Sequence, residues 1–230
     1  AEEAQRLDLD SAAGWGVVAT AQQAAGRWGS AKTAWLEALQ RRPAWPEARL
    51  QLGAVLARLG DPDAAVGEYT EALRLRPGWD KARLALAEEL AQLGRAEEAL
   101  AQVEAAVRAD PASAEALLAR ANLLFGLERF AEAEAAGRAL VRIRAEYPGA
   151  RFALGNALLA LGRSAEALAE FEAAARSDGE SAALLCSRAL ALLDLGRAGE
   201  AAAAVDAALK ADPTHGPAQE LRRSIRESGS

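Results

Sequence analysis

Apolar residues recur at intervals of three and four along most of this 230-residue chain. In residues 46–79 they form two runs with a short break between them: Leu52, Leu56 and Leu59, then Val66, Tyr69 and Leu73. This spacing places apolar side chains on one face of an α-helix. Gly60 in the break can adopt the left-handed conformation that ends a helix, and Asp61 can cap the next helix. The segment therefore predicts a helix, a turn and a second helix.

The same pattern returns every 34 residues. In one phase stand Ala31, Ala65, Ala99, Ala133, Ala167 and Ala201, together with Gly26, Gly60, Gly94, Gly162 and Gly196 and with Pro43, Pro77, Pro111 and Pro213. Alanine is abundant here, but five of the 19 glycines in a single register are difficult to obtain by chance. We expect six consecutive repeats: residues 12–45, 46–79, 80–113, 114–147, 148–181 and 182–215.

Within each repeat, small and large residues occupy complementary positions. The eighth position is always small: Ala19, Gly53, Ala87, Ala121, Gly155 and Ala189. The twenty-fourth position is mostly larger: Trp35, Tyr69, Val103, Phe171 and Val205. Small side chains let two helices approach closely, and the larger residues fill the remaining space. These residues are the predicted core.

The repeats resemble those of a known family. The stretches LQLGAVL, AAVGEY and RP in the second repeat, and FALGNAL and ALAEF in the fifth, are similar to the 34-residue tetratricopeptide repeat pattern. The resemblance covers residues 12–215. It implies an all-α fold, a right-handed α-solenoid of stacked helix-turn-helix repeats. It also implies that the first helices line a concave groove that holds a peptide or a helix of a partner.

The fourth repeat departs from the pattern. It has Glu128 at the turn glycine, Gly137 at the large position, Leu140 at a small position and Ala145 in place of proline. The favoured interpretation is tolerated drift within a repeat. In the alternative, Gly137 marks a local change of superhelix curvature. Because no proline occurs until Pro148, the second helix of this repeat can also run on for about one extra turn, toward Tyr147.

The chain ends lie outside the six repeats. Residues 1–11 are in phase with the end of a second helix, which predicts an N-terminal extension or the remnant of a preceding repeat. Residues 216–230 begin in phase with another first helix but are mostly polar, which predicts a capping helix and a tail. The chain has no methionine, so we expect a processed product or an excised domain. A cytoplasmic location and a periplasmic or secreted one after signal removal both remain open.

Composition excludes several classes of partner. The net charge is -6, with 33 Asp and Glu against 27 Lys and Arg, and this balance argues against nucleic-acid binding. Charged residues interrupt every apolar run well before the roughly 18 residues of a membrane span, so none is predicted. Protein or peptide ligands remain the expected partners, with self-association as a further possibility.

No residue set predicts catalysis, a metal site or a cofactor. His215 is the single histidine and falls in a loop between repeats, where a structural role is favoured. Cys186 is the single cysteine, and an inert apolar role is favoured over a reactive thiol. One histidine and one cysteine do not make a familiar zinc site. We therefore expect a protein that is not an enzyme.

The resemblance also selects positions in each first helix that face the groove. In repeats four to six these positions are largely apolar: Leu118, Asn122, Phe125, Phe152, Asn156, Leu159, Cys186, Leu190 and Leu193. In repeats two and three they form a secondary polar stretch: Glu47, Arg58, Lys81, Glu88 and Gln92.

The groove residues predict how a peptide is held. Chaperone-binding members of the family grip a terminal carboxylate with a lysine at position five of a repeat, but this chain has Gly16, Leu50, Leu84, Leu118, Phe152 or Cys186 there. That clamp is not expected. Asn122 and Asn156 can instead hold a peptide backbone, because an amide both donates and accepts hydrogen bonds. In the alternative, a terminal helix or a second copy covers this apolar strip.

Two functional classes follow. The first is a scaffold or adaptor that binds a peptide or partner helix in its groove. The second is a targeting domain excised from a larger enzyme or from a secretion or assembly component.

Overall fold

A computed structural model describes residues 11–228 of the chain. Within that range the chain forms thirteen α-helices and no strand. The helices are α1 Ala12–Ala24, α2 Trp28–Arg41, α3 Pro46–Arg58, α4 Pro62–Leu75, α5 Asp80–Gln92, α6 Ala96–Ala109, α7 Ala114–Gly126, α8 Phe130–Ile143, α9 Ala150–Ala160, α10 Ser164–Asp178, α11 Ala182–Asp194, α12 Ala198–Ala211 and α13 Gly216–Ser228. The predicted all-α fold of paired helices is confirmed.

The chain divides into two compact halves, one ending at Asp110 and the other beginning at Pro111. The described part of the N-terminal half contains α1 to α6, and the C-terminal half contains α7 to α13. Within each half, each helix packs on the next one in the chain, as in an α-solenoid.

Side-chain caps and left-handed turns set the helix ends. The Ser113 hydroxyl accepts a hydrogen bond from the Ala116 amide at the start of α7, and the Ser181 hydroxyl does the same for Leu184 at the start of α11. The turn between α7 and α8 passes through Glu128, whose φ of 60° lies in the left-handed region. Glycine occupies the equivalent place in the turn before α6, where Gly94 has a φ of 74°. Glu128 therefore carries a backbone strain that glycine avoids.

The predicted pairing of small and large residues is confirmed in the second and fifth repeats. A Cβ at Gly53 would lie 2.5 Å from the ring of Tyr69, and a Cβ at Gly155 would lie 2.5 Å from the ring of Phe171. Both rings are buried. The absence of a side chain at each glycine is therefore what lets an aromatic ring lie against the backbone of the first helix.

The fourth repeat does not have the extended second helix that its sequence allows. Helix α8 ends at Ile143, and α9 begins only at Ala150. Pro148 disfavours helical backbone only at Tyr147, four residues after α8 has already ended. Gly149 then adopts a φ of 78°, and its amide donates to Asp178 Oδ2 at 2.8 Å. Gly137 serves packing, since a Cβ there would lie 3.1 Å from Leu154 Cα on α9.

Helix α13 covers the apolar side of the last helix pair. Ala218 is fully buried beside Leu185 and Ala208, and Leu221 packs against the same cluster. The opposite side of α13 is polar and exposed. The role of α13 as a capping helix of the stack stays a prediction.

Candidate functional site

The first helices of the C-terminal half share one face. Helix α7 contacts α9, α9 contacts α11, and α11 contacts α13. Contacts between the successive second helices α8, α10 and α12 are fewer. A stack whose first helices lie closer together is curved toward them. The groove predicted from the sequence would therefore lie on the first helices.

Most of the predicted groove residues of this half are accessible there. The group that we call the first-helix face comprises Leu118, Asn122, Phe125, Phe152, Asn156, Leu159, Leu190 and Leu193, all exposed or half-buried. Phe125 is 37% exposed and Leu190 is 42% exposed. Three neighbouring helices thus present apolar side chains to the outside.

The two asparagines on this face have unused hydrogen-bonding groups. Asn122 is exposed and Asn156 is half-buried. Neither side chain makes a hydrogen bond to another residue within the described range 11–228. An amide in this state can donate to one backbone group of a ligand and accept from another.

The aromatic residues of the face are held in place by other rings. The Phe125 ring lies 5.4 Å from the Phe130 ring, measured between centroids, and the Phe152 ring lies 6.0 Å from the Phe171 ring. Phe152 also packs against the buried core of this half. Phe125 is thus an accessible anchor for a ligand, whereas Phe152 contributes to both the core and the face.

Cys186 has to be removed from the predicted groove. Its side chain is only 5% exposed and packs with Leu185, Ala208 and Ala218. The sequence pattern places it at a groove position, but α13 supplies the residues that cover it. Burial raises the pKa of the thiol, so it carries little of the reactive thiolate. An inert packing role fits this environment.

The secondary polar stretch of the N-terminal half is partly engaged in internal contacts. Glu47 forms an ion pair with Arg76, and the Arg58 guanidinium lies 5.9 Å from the ring of Trp28. Lys81, Glu88 and Gln92 are exposed. Arg58 is exposed as well, so four of the five residues are open to a ligand.

A buried acid beside this stretch was not found from the sequence. Glu89 is 5% exposed, and its Oε2 atom has no hydrogen-bond partner within residues 11–228. Burial, and then the charge of Glu88, raise the pKa of its carboxyl group. Burial, together with these two acids, also raises the pKa of Tyr69 far above its usual value. One feature of the sequence indicates this burial: at the position of Glu89, the second and fourth repeats have the apolar residues Val55 and Leu123.

The described residues show no arrangement for metal binding. No group of three or more His, Cys, Asp or Glu side chains in residues 11–228 could hold a metal ion. His215 Nδ1 lies 4.0 Å from Asp212 in the loop before α13, a local contact within one turn. Over the same range, every helix is too short or too polar to cross a membrane.

Comparison with known proteins identifies the repeats. Two family models described as Tetratricopeptide repeat match the chain, one at residues 84–150 and 152–215 and the other at residues 46–88. No curated protein sequence matches the chain significantly.

Several solved structures are similar in fold. A tetratricopeptide repeat protein from Parabacteroides merdae is 20% identical with a TM-score of 0.83, over 95% of this chain and 86% of that one. PilF from Pseudomonas aeruginosa is 17% identical with a TM-score of 0.77, over 93% and 97% of the two chains. YrrB, described as a TPR protein with an unusual peptide-binding site, is 20% identical with a TM-score of 0.64, over 83% and 98%. With family models matching more than half of its residues, the chain belongs to the tetratricopeptide repeat family.

Proposed function

We propose that the protein is a non-enzymatic interaction scaffold that binds an extended peptide segment on the first-helix face of its C-terminal half. The observation that carries this proposal is the juxtaposition of accessible apolar side chains with two asparagines that have no internal hydrogen bond. The peptide-binding site of YrrB, a structure of similar fold, supports the same class of function.

The chemistry of the face suits a ligand with an extended backbone. Asn122 and Asn156 occupy equivalent places on α7 and α9, 34 residues apart. Each amide can hydrogen-bond a peptide group without regard to the ligand side chain. Leu118, Phe125 and Leu190 then provide apolar surface for side chains of the ligand, which is where most binding energy of such interfaces is found.

The experiment starts from selection of 12-residue random peptides on the purified protein. The affinity of the tightest selected peptide is then measured by fluorescence anisotropy for the wild type and for Asn122→Ala/Asn156→Ala. We expect affinity to fall about tenfold to a hundredfold, because two hydrogen bonds of roughly 0.5–1.5 kcal/mol each are lost. Leu190→Ala should also weaken binding.

The matched control is Gln40→Ala, which removes an exposed amide from α2 and should leave affinity unchanged. Circular dichroism should show the same helix content in every variant. Wild-type affinity in both Asn122→Ala/Asn156→Ala and Leu190→Ala would contradict the proposal. So would a concentration-dependent dimer that the double variant abolishes, since a second copy would then be the occupant of this face.

A further inference from the structure

We propose that the peptide segment bound on the first-helix face carries lysine or arginine on both sides of its apolar part. This inference rests on the proposed function and specifies the chemistry of its ligand. It comes from the charges around the apolar side chains of the first-helix face, which we call the apolar strip.

Acidic side chains lie at both ends of the strip. Glu115 is exposed one helical turn before Leu118 on α7. At the other end, Asp194 is exposed one turn after Leu190, at the end of α11. Glu220 is exposed on α13, the helix that follows α11 in the stack, 34 residues after Cys186. The apolar strip therefore has one carboxylate on its first helix, one at the end of its last helix and one on α13, the next helix of the stack.

These carboxylates are not neutralised by neighbours. Most ion pairs of the C-terminal half join an arginine to a glutamate on the same or an adjacent helix, such as Arg163 with Glu166 at 2.6 Å. Glu115, Asp194 and Glu220 take part in no ion pair within the described range 11–228. Asp194 accepts one neutral hydrogen bond, from the Ser164 hydroxyl at 2.8 Å.

Several arginines of the same helices already form ion pairs within this half. Arg151 on α9 pairs with Glu170 on α10 at 3.0 Å, and Arg188 on α11 pairs with Glu180 at 3.1 Å. Arg120 on α7 is half-buried, and its Nε atom has no hydrogen-bond partner within residues 11–228. On α13, Arg222 and Arg223 line a cleft with Leu209 and Pro213 on the α12 side. Among the described residues, Arg151 and Arg188 are thus already paired, which lowers the net positive charge that these helices offer to a ligand.

The spacing of the charges sets the length of the ligand. Neighbouring packed helices are roughly 8–10 Å apart, so the span from α7 to α13 across three such steps is about 25–30 Å. An extended peptide covers this span with about eight residues at roughly 3.3–3.6 Å each. The ligand is therefore an apolar segment of about six to eight residues with a cation at each end.

The test uses three versions of the selected peptide, extended at both ends by two lysines, two serines or two glutamates, with blocked termini. At low salt the lysine version should bind about fivefold tighter than the serine version, and the glutamate version should bind more weakly than either. In 0.5 M salt the preference should fall below about twofold, because exposed charges are screened.

Two charge-neutralising variants locate the effect. Glu115→Gln/Glu220→Gln should remove most of the lysine preference and leave the affinity for the serine version unchanged. Glu146→Gln/Glu172→Gln is the matched control, because it removes two exposed acids of the same half that lie outside the first helices. The control should keep the preference.

The outcomes separate the two proposals. Equal affinity for the three versions, or a preference that Glu115→Gln/Glu220→Gln leaves intact, overturns the inference while the peptide site stands. If no peptide is selected, or if Asn122→Ala/Asn156→Ala leaves binding of all versions unchanged, the proposed function fails and the inference fails with it.

Discussion

The second and fourth repeats differ at one contact between their two helices. In the second repeat, Arg49 on α3 donates to Glu68 on α4 at 2.8 Å. The equivalent residues of the fourth repeat are Leu117 on α7 and Ala136 on α8, both buried. Arg151 and Glu170 of the fifth repeat follow the polar form, whereas Leu185 and Ala204 of the sixth follow the apolar one.

The residue at the position of Arg49 in the first helix therefore matches the residue at the position of Glu68 in the second helix. Arginine in the first helix occurs with Glu68, Gln102 or Glu170 in the second, and leucine in the first helix occurs with alanine. A charge that is mostly shielded from water needs a partner, whereas a leucine needs only a small neighbour that leaves it room. We therefore expect the fold to accept either pair better than a mixture of the two.

The largest effect should come from placing the arginine of the polar pair opposite the alanine of the apolar pair. Leu117→Arg in the fourth repeat places a guanidinium at a buried site whose neighbour is Ala136, and we expect a loss of about 3–5 kcal/mol in the free energy of unfolding. Addition of Ala136→Glu should restore part of this loss. Denaturant unfolding measures both effects, and Leu161→Arg at an exposed site is the control, with an expected change of about 0.5 kcal/mol or less. Similar costs at the two sites would show that burial does not distinguish them.

A smaller effect should follow from the reverse change in the second repeat. Arg49→Leu and Glu68→Ala should each cost about 1–2 kcal/mol, because each leaves the other group shielded without its partner. The double variant, which converts the polar pair to the apolar form, should be more stable than the sum of the single losses by roughly 1 kcal/mol. Strictly additive losses in the same unfolding assay would show that the two residues act independently.

Glu89 extends the comparison to a buried acid that has no arginine partner like that of Glu68. Its pKa is raised in the folded protein, so the folded state holds the proton more tightly than the unfolded chain. Stability should therefore fall as the pH rises above the ordinary glutamate value of about 4.5. Glu89→Gln should remove this decline, and its advantage over the wild type should grow with pH and then level off. A stability difference that is constant between pH 4 and pH 8 would contradict this assignment.

The smallest effect concerns the turns of the third and fourth repeats. Glu128→Gly should stabilise the protein by about 0.5–1 kcal/mol, because the relief of left-handed strain exceeds the added flexibility of the unfolded chain. Gly94→Glu is the reciprocal change at a turn with open space around it, and it should cost about 1 kcal/mol. Thermal unfolding of the two variants should shift in opposite directions, and shifts of the same sign would refute the strain at Glu128.

Features that repeat with the 34-residue period were predictable from the sequence. The turn glycines, the Asp61 cap and the packing of Tyr69 on Gly53 all depend on contacts within one repeat, and the period exposes them. The end of α8 was harder to predict, because the proline at the usual place is replaced by Ala145; the helix nevertheless ends at Ile143, 34 residues after the end of α6 at Ala109.

Features that depend on contacts outside the repeat were missed. Cys186 occupies a groove position by its register, but helix α13, which lies outside the repeats, covers it. Glu89 looks like a solvated residue beside Glu88, and only the packing of α5 shows that it is buried. The candidate face was predictable as a set of positions, whereas the accessibility of each side chain required the structure.

The most direct test of the central claim is to map the bound peptide by NMR, using methyl-labelled leucine and valine. If the selected peptide lies on the first-helix face, the methyl signals of Leu118, Leu159, Leu190 and Leu193 should shift on titration. Those of Val141 on α8 and Val205 on α12 should stay in place. Shifts confined to the second helices or to the N-terminal half would contradict the account and place the ligand on a different surface.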